Sequence, residues 1–395
     1  RQAGEDSGRS PVLLAVFAGP FFLFLGNPPF DPQTSYALER FYLASWMGIA
    51  FLVAGGLSAV ASFSPWASRA LLVVPIVSAC LGYQDWFMRW DLTSYDYGRN
   101  ILKTLPKGST LFMDGGDDTF YSLAYLTQAQ AMRPDLELHD RGGLVFRSAY
   151  GTDFRRLPKI GKEARRISVE TLLARAGTLY YSTLNDSLLP GFTLDPVGLL
   201  RKPVAGERSG PEPWEFYVLR YSERSLERHY RHRALIAFYP VMRAASLAAQ
   251  GKTVEAMMAL AEARAMGADV LWLGSSVAHQ LELLGFDAFQ RGDWPSAEQA
   301  YAAAYDLDPS ATAFLLNLGA ARQKQGKLRE AEDAFQRCAD RDPGSVKAWR
   351  NLGTVYWVQG RWKQASEAFK TASGLAPSDR ELAEYAASAA KRARP

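Results

Sequence analysis

The sequence is short of the residues that build covalent or metal-bound frameworks. It has two cysteines, Cys80 and Cys338, and four histidines in 395 residues. Two distant cysteines in segments of different kinds exclude a disulfide scaffold and a zinc set. His229 and His232 lie three apart but are interleaved with Arg228, Arg231 and Arg233, a cationic face that repels a metal ion. No Ser/His/Asp or Cys/His set, phosphate-binding P-loop or GxGxxG fingerprint is present. Net charge is small too. A surplus of +4 over this length is too dilute to steer a nucleic acid, so no nucleic-acid partner is expected. The apolar fraction of 48% excludes a disordered chain, and the length suits two or three domains. The chain begins at Arg1 rather than methionine, as a processed chain or a piece of a longer one would.

Charge is missing altogether from three stretches near the N-terminus: between Arg9 and Asp31, between Arg40 and Arg69, and between Arg69 and Asp85. The middle one, 41–63, is long enough for a hydrocarbon layer that takes about 20 helical residues. Its Gly48, Gly55, Gly56 and Ser58 would let neighbouring helices approach closely. The runs at 11–26 and 67–83 are shorter, the first carrying Pro20. Three successive runs do not suit a signal peptide, so residues 1–90 are expected to form three membrane spans in contact with lipid. Flanking Lys and Arg are nearly balanced and leave the orientation open.

Residues 91–224 change in character. A helical pattern at 95–105 ends at Leu105-Pro106-Lys107-Gly108. Thr110 to Met113 is then expected as a buried strand, 120–131 as a helix and 136–139 as a second strand, which together make a βαβ unit of a small α/β domain. A helix at 169–174 and strands at 178–182 and 214–221 would complete it. The loop between strand and helix holds Asp114, Asp117, Asp118 and Thr119. Two readings of it stand side by side. These residues cap the following helix and complement its dipole, or, at the carboxyl end of a strand, they contact a ligand. A resident divalent metal is not expected.

The C-terminal third repeats every 34 residues. Pro309, Pro343 and Pro377 keep that spacing, as do Gly292, Gly326 and Gly360, Gly285, Gly319 and Gly353, and Tyr301, Phe335 and Phe369. This is the signature of the tetratricopeptide repeat, a helical pair that buries its apolar stripe only by stacking on neighbours. Residues 278–379 are expected as three such repeats of an α-solenoid, with 380–395 as a capping helix. Gly251, Ala256, Leu260 and Ala263 show the same pattern 41 residues ahead of Gly292, Ala297, Tyr301 and Ala304. That marks 225–277 as a diverged repeat with a seven-residue insertion. Such arrays bind proteins, and Arg322, Lys324, Trp357 and Arg361 are candidates for contact with a protein partner, with packing or solvation as the alternative.

Several segments resemble one family. They are Glu39-Arg40-Phe41-Tyr42-Leu43, Tyr95 to Leu102, Leu111-Phe112 leading into Gly115 to Phe120, Arg133-Pro134-Asp135, and Leu188-Leu189-Pro190-Gly191 ahead of Gly198-Leu199-Leu200. Over 39–204 the chain is similar to the multi-span membrane proteins that carry the domain of unknown function 2723 (DUF2723), related to an O-mannosyltransferase of the endoplasmic reticulum. The resemblance implies the C-terminal region of a membrane glycosyltransferase of the GT-C type. Such an enzyme takes sugar from a lipid-phosphate donor, with its soluble part on the lumenal or periplasmic face. It implies that Arg40 meets a lipid phosphate, or snorkels, at the mouth of a span. Gly116 and Asp117 depart from the family's loop. No segment matches its catalytic first external loop, which places the catalytic carboxylate upstream of Arg1. The rival expectation is a non-enzymatic, membrane-anchored repeat adaptor.

Overall fold

A proline and a glycine close the helix α1 (Thr93–Thr104), and the chain that follows enters a sheet. The computed structural model describes residues 49–71, 73, 77, 92–113, 117–140, 143, 145–185, 188–204, 213–220 and 230–393. The chain divides into two units: Arg1–Leu92 with Arg220–Tyr230, and Thr93–Leu219 with Arg231–Pro395.

In the first unit residues 49–63 are helical and a short helix occupies Pro65–Leu71. Phe51, Val53, Phe63 and Trp66 are exposed there. No helix among the described residues is long and apolar enough to cross a membrane, so the expected three spans gain no support from the structure. The run at 11–26, Arg40, and parts of 41–63 and 67–83 lie outside the described residues.

The second unit opens with α1, which buries Tyr97, Ile101 and Leu102 on one face. Strand β1 (Thr110–Met113) is buried throughout, as an apolar run between breakers should be. Helix α2 (Asp117–Ala124) runs into a π-helical turn, Tyr125–Ala129, and β2 (Glu137–Asp140) returns parallel to β1. Arg133, at a positive φ of 53°, donates to the carbonyls of Leu102, Leu105 and Pro106 at 2.7, 2.9 and 3.0 Å. It thereby satisfies carbonyls that the end of α1 leaves open. Helix α3 (Lys159–Arg175) then leads to β3 (Leu179–Ser182), parallel to β1 on its other side. A hairpin of β4 (Thr193–Val197) and β5 (Leu200–Val204) adds antiparallel strands, and the sheet order is β2-β1-β3-β5-β4.

Within the expected strand 214–221 the described residues, 214–220, form none: Pro213–Phe216 is a 3-10 turn, and irregular chain follows to 220. Its backbone pairs with a side chain instead of a ladder. The buried Asn100 amide donates to the Val218 carbonyl at 2.7 Å and accepts from the Val218 N–H at 3.1 Å. The same amide donates to the Tyr239 hydroxyl at 2.9 Å. Tyr239 lies on α4 (Tyr230–Ala249), so one asparagine ties the sheet domain to the first helix of the solenoid.

The solenoid is built from helical pairs. The first helices are α4, α6 (Leu271–Gln290), α8 (Thr312–Lys324) and α10 (Val346–Val358). The second helices are α5 (Thr253–Met266), α7 (Trp294–Leu307), α9 (Leu328–Arg341) and α11 (Trp362–Leu375), all of 14 residues. Helix α12 (Arg380–Arg392) covers the end. The seven extra residues appear as an extension of α6, which has 20 residues against 13 in α8 and in α10. Seven residues are about two helical turns, so the insertion lengthens a helix without disturbing the pair that follows. Each first helix ends at a glycine of positive φ: Gly251, Gly292, Gly326 and Gly360, at 76°, 80°, 77° and 72°. Only glycine takes that turn without strain.

Candidate functional site

The strand order places β1 between β2 and β3, both parallel to it, so the chain adds one strand on one side and the next on the other. Open α/β sheets bind ligands at the carboxyl ends of strands at such a switch. Met113 and Ser182 are register partners there. Ser182 is buried, and its hydroxyl lacks a hydrogen-bond partner. Thr119, in the first turn of α2, is buried as well. Asp117 and Asp118 are the first residues of α2, where carboxylates favour the helix dipole, while Asp114 lies outside the described residues. Asp140 at the end of β2 accepts from the backbone of Val145 at 2.6 Å and of Phe146 at 3.0 Å. Among the described residues no group of three or more His, Cys, Asp or Glu side chains converges on a metal position. Among the described residues, Ser182 gives this edge an orphaned hydroxyl.

A polar cluster that sequence reasoning missed lies beneath α3. Glu170 is wholly buried and accepts from the Tyr150 hydroxyl at 2.6 Å and the Tyr181 hydroxyl at 2.5 Å. Arg166 completes it with an ion pair at 3.0 Å. The hydrogen bond to Glu163 raises the Arg166 guanidinium above its ordinary range, against burial, with Glu170 adding to the effect. A buried carboxylate held by three donors locks α3 to β3. Its only local signal was the i, i+4 spacing of Arg166 and Glu170, since the tyrosines come from elsewhere in the chain.

The solenoid carries the same polar clamp at two successive joints, one period apart. Glu298 on α7 accepts from Lys327 at 2.6 Å and Gln325 at 2.8 Å, both at the turn after α8. One period on, Glu332 accepts from Arg361 at 2.6 Å and Gln359 at 3.3 Å. Burial pushes the Glu298 carboxyl up, but the hydrogen bonds from Lys327, Arg322 and Gln325 outweigh it and hold it down at about 2.

The four candidate contact residues all make contacts within the array, with Lys324 exposed and the other three half-buried. Arg322 pairs with Glu298 at 2.9 Å. Lys324 sits over the Trp294 ring, 5.9 Å from its centre. Arg361 pairs with Glu332 and stacks on Tyr356 at 4.5 Å. Trp357 meets Trp362 edge-on at 5.3 Å and is overlaid by Arg392 of the capping helix at 4.6 Å. These contacts join repeats or seat the cap, and they leave part of each side chain open to solvent. A further hollow of about 620 Å³ lies between Trp214, Tyr217 and α4, with Arg243, Lys252 and Glu262 at its wall.

The tetratricopeptide-repeat family model matches residues 283–343 and 316–380. The C-terminal array consists of tetratricopeptide repeats. Among solved structures, the array is similar to the TPR domain of Arabidopsis OM64, at 23% identity over 29% of this chain and 94% of that one, with a TM-score of 0.28. It is also similar to the Yersinia enterocolitica type III secretion chaperone SycD in complex with a peptide of the translocator YopD. There the identity is 24% over 29% of this chain and 87% of the other, with a TM-score of 0.26. A type III secretion complex from Aeromonas hydrophila matches at 32% identity over 29% of this chain and 75% of that one, with a TM-score of 0.26. No curated protein matches the sequence.

Proposed function

We propose that the chain recruits a protein partner through its repeats while its N-terminal apolar segments hold it to membrane lipid. The observation that carries this reading is the repeat array itself, which the family model covers from 283 to 380. Stacked helical pairs form a continuous core and spread side chains from successive repeats over one extended surface, which is the geometry of protein binding. The exposed apolar side chains Phe51, Val53 and Phe63 support the membrane attachment. Photo-crosslinking residues placed at Lys347 and Arg350, exposed on α10, should trap one protein partner in cells, while a probe at Leu172 on α3 should not. Equal labelling from all three positions, or none, would overturn the reading.

A second reading is favoured by the resemblance over 39–204. The chain would be the C-terminal region of a membrane glycosyltransferase using a lipid-phosphate-linked sugar, with the repeats presenting the acceptor on the lumenal or periplasmic face. Carboxylate-assisted attack of an acceptor hydroxyl on the anomeric carbon would be the chemistry, with the carboxylate supplied from upstream of Arg1. Membranes carrying the protein should then transfer labelled sugar from a polyprenyl-phosphate donor to the cross-linked partner. Partner binding without any transfer would leave the adaptor alone standing.

A further inference from the structure

The four second helices can be superposed in sequence, α7 standing 41 residues after α5 and α9 standing 34 after α7. That register brings out a difference between the first two joints of the array. At the joint of α7 and α9 the space between the helices is filled. Tyr305 projects from α7, Arg337 donates to its hydroxyl at 2.8 Å, and Arg337 and Arg341 lie over its ring at 5.2 and 5.6 Å. At the joint of α5 and α7 the corresponding residues are Arg264, Ala303 and Leu307. Two arginines have become an alanine and a leucine, and the aromatic plug is gone. The polar clamp has gone with it, because Met257 stands where α7 has Glu298 and α9 has Glu332.

What remains is an open apolar groove of about 450 Å³. Its floor is Val277 and Leu281 of α6, and its walls are α5 and α7. The outer face of α5 continues it. Val254 and Met258 are exposed, where the same positions on α9 hold Arg329 and Asp333. At these two positions α5 is apolar where α9 is charged and α11 carries Lys363 and Glu367, while α7 has Pro295 and Gln299. Exposed apolar surface that adjoins a groove marks a binding site. The two walls also carry opposite charges: Arg264 on α5 and Asp306 on α7 line the groove, and neither has an ion pair among the described residues.

We infer that the groove between α5 and α7 docks the apolar face of an amphipathic helix from a partner protein, with an acidic residue of that helix toward Arg264 and a basic one toward Asp306. The concave shape favours a helix over a bilayer surface, which has nothing to insert between two walls. The opposed, unpaired charges fix the helix direction, as one cation facing one anion across a groove must. The inference rests on the partner-binding reading above and deepens it to a place and a ligand class.

The test is binding of a synthetic 14-residue helix to the full chain, read by fluorescence anisotropy. The peptide carries Leu at i, i+3, i+4 and i+7, with Glu along one flank and Lys along the other. Saturable binding is expected. It should weaken at least tenfold in Ala303→Arg with Leu307→Arg, which restores the plug, and in Met258→Asp. Making both walls acidic with Arg264→Asp should weaken this peptide and strengthen binding of one that carries Lys along both flanks. Unchanged thermal unfolding of each variant guards against a folding defect. Binding indifferent to the plug, or no binding at millimolar peptide, overturns the inference. So does self-association of the chain, or adhesion to anionic vesicles, that the plug abolishes while the peptide fails to bind. If the peptide fails but crosslinks from Lys347 and Arg350 persist, the groove fails and the partner-binding reading survives.

Discussion

Glu298 and Lys327, 29 residues apart in sequence, meet at 2.6 Å across the joint between two repeats. The repeat of that pair as Glu332 and Arg361 makes it a device of the array. It also gives the acid response a direction. The Glu298 carboxyl is held down at about 2, from an ordinary value of 4.5. A group whose folded value is depressed contributes stability above its unfolded value and loses it as pH falls toward the folded one. Replacing Glu298 with Gln should therefore cost about 1 kcal/mol at neutral pH, the scale of a partly exposed ion pair. The gap between parent and variant should close between pH 4.5 and about 2. Thermal unfolding followed by circular dichroism across that range checks it; a gap independent of pH would remove the clamp from the account.

That clamp also shows where a sequence stops being legible. The glycines, alanines and aromatics of the repeats were readable because each occupies a close crossing that recurs every 34 residues. The cations Arg322 and Arg361 looked available because their carboxylate partners, Glu298 and Glu332, precede them by 24 and 29 residues. The insertion was visible as a spacing of 41, but only the structure assigns it to the start of α6. The hairpin of β4 and β5 escaped notice because Pro196 and Pro203 lie within its strands, and proline argues against a ladder. The edge position of β4 tolerates its proline. At the carboxyl edge of the sheet, a place in the first turn of α2 suits both the capping and the ligand reading of Asp117 and Asp118.

Gly319 illustrates the close crossing and yields the second prediction. A Cβ at this position would lie 2.5 Å from the Phe335 ring, with no flexible chain end to give way. Gly319→Ala should destabilise the array by about 1–3 kcal/mol through overpacking. Adding Phe335→Leu should recover part of that loss, although Phe335→Leu alone destabilises. A denaturant double-mutant cycle reads the coupling. Additive losses would show that the ring and the glycine are not in conflict.

Glu170 supports a third. With two tyrosine hydroxyls and Arg166 around it, the carboxylate is buried but fully engaged. Breaking such a set by removing one charge is costly, about 3–5 kcal/mol, because the other is left uncompensated. Arg166→Met should unfold the sheet domain at markedly lower urea than the parent chain, while Glu170→Gln, which keeps the shape and can still accept one hydroxyl, should cost less. Near-ultraviolet circular dichroism follows the tyrosines directly. If the two variants unfold together, shape rather than charge holds α3 in place.

The fourth concerns Asn100, whose one amide serves both backbone groups of Val218 and the hydroxyl of Tyr239. No ladder stands behind it, so the tail after Pro213–Phe216 is held by that side chain, by Lys103 on the Phe216 carbonyl at 2.7 Å, and by the Tyr217 hydroxyl, which Thr104 meets at 2.5 Å and the Leu199 N–H at 3.0 Å. Asn100→Leu fills the space yet strands the buried Tyr239 hydroxyl, worth about 1–3 kcal/mol, and leaves the part-buried Val218 groups to water. The expected result is local: faster proteolysis at residues 213–219 with the repeat array unfolding as before. Asn100→Asp keeps an acceptor for the Val218 N–H but loses the donor to the Val218 carbonyl, so its cleavage rate should fall between the two. Cleavage of Asn100→Leu at the parental rate would mean that the aromatic contacts of Trp214 and Tyr217, 5.3 Å apart, hold the tail without the amide.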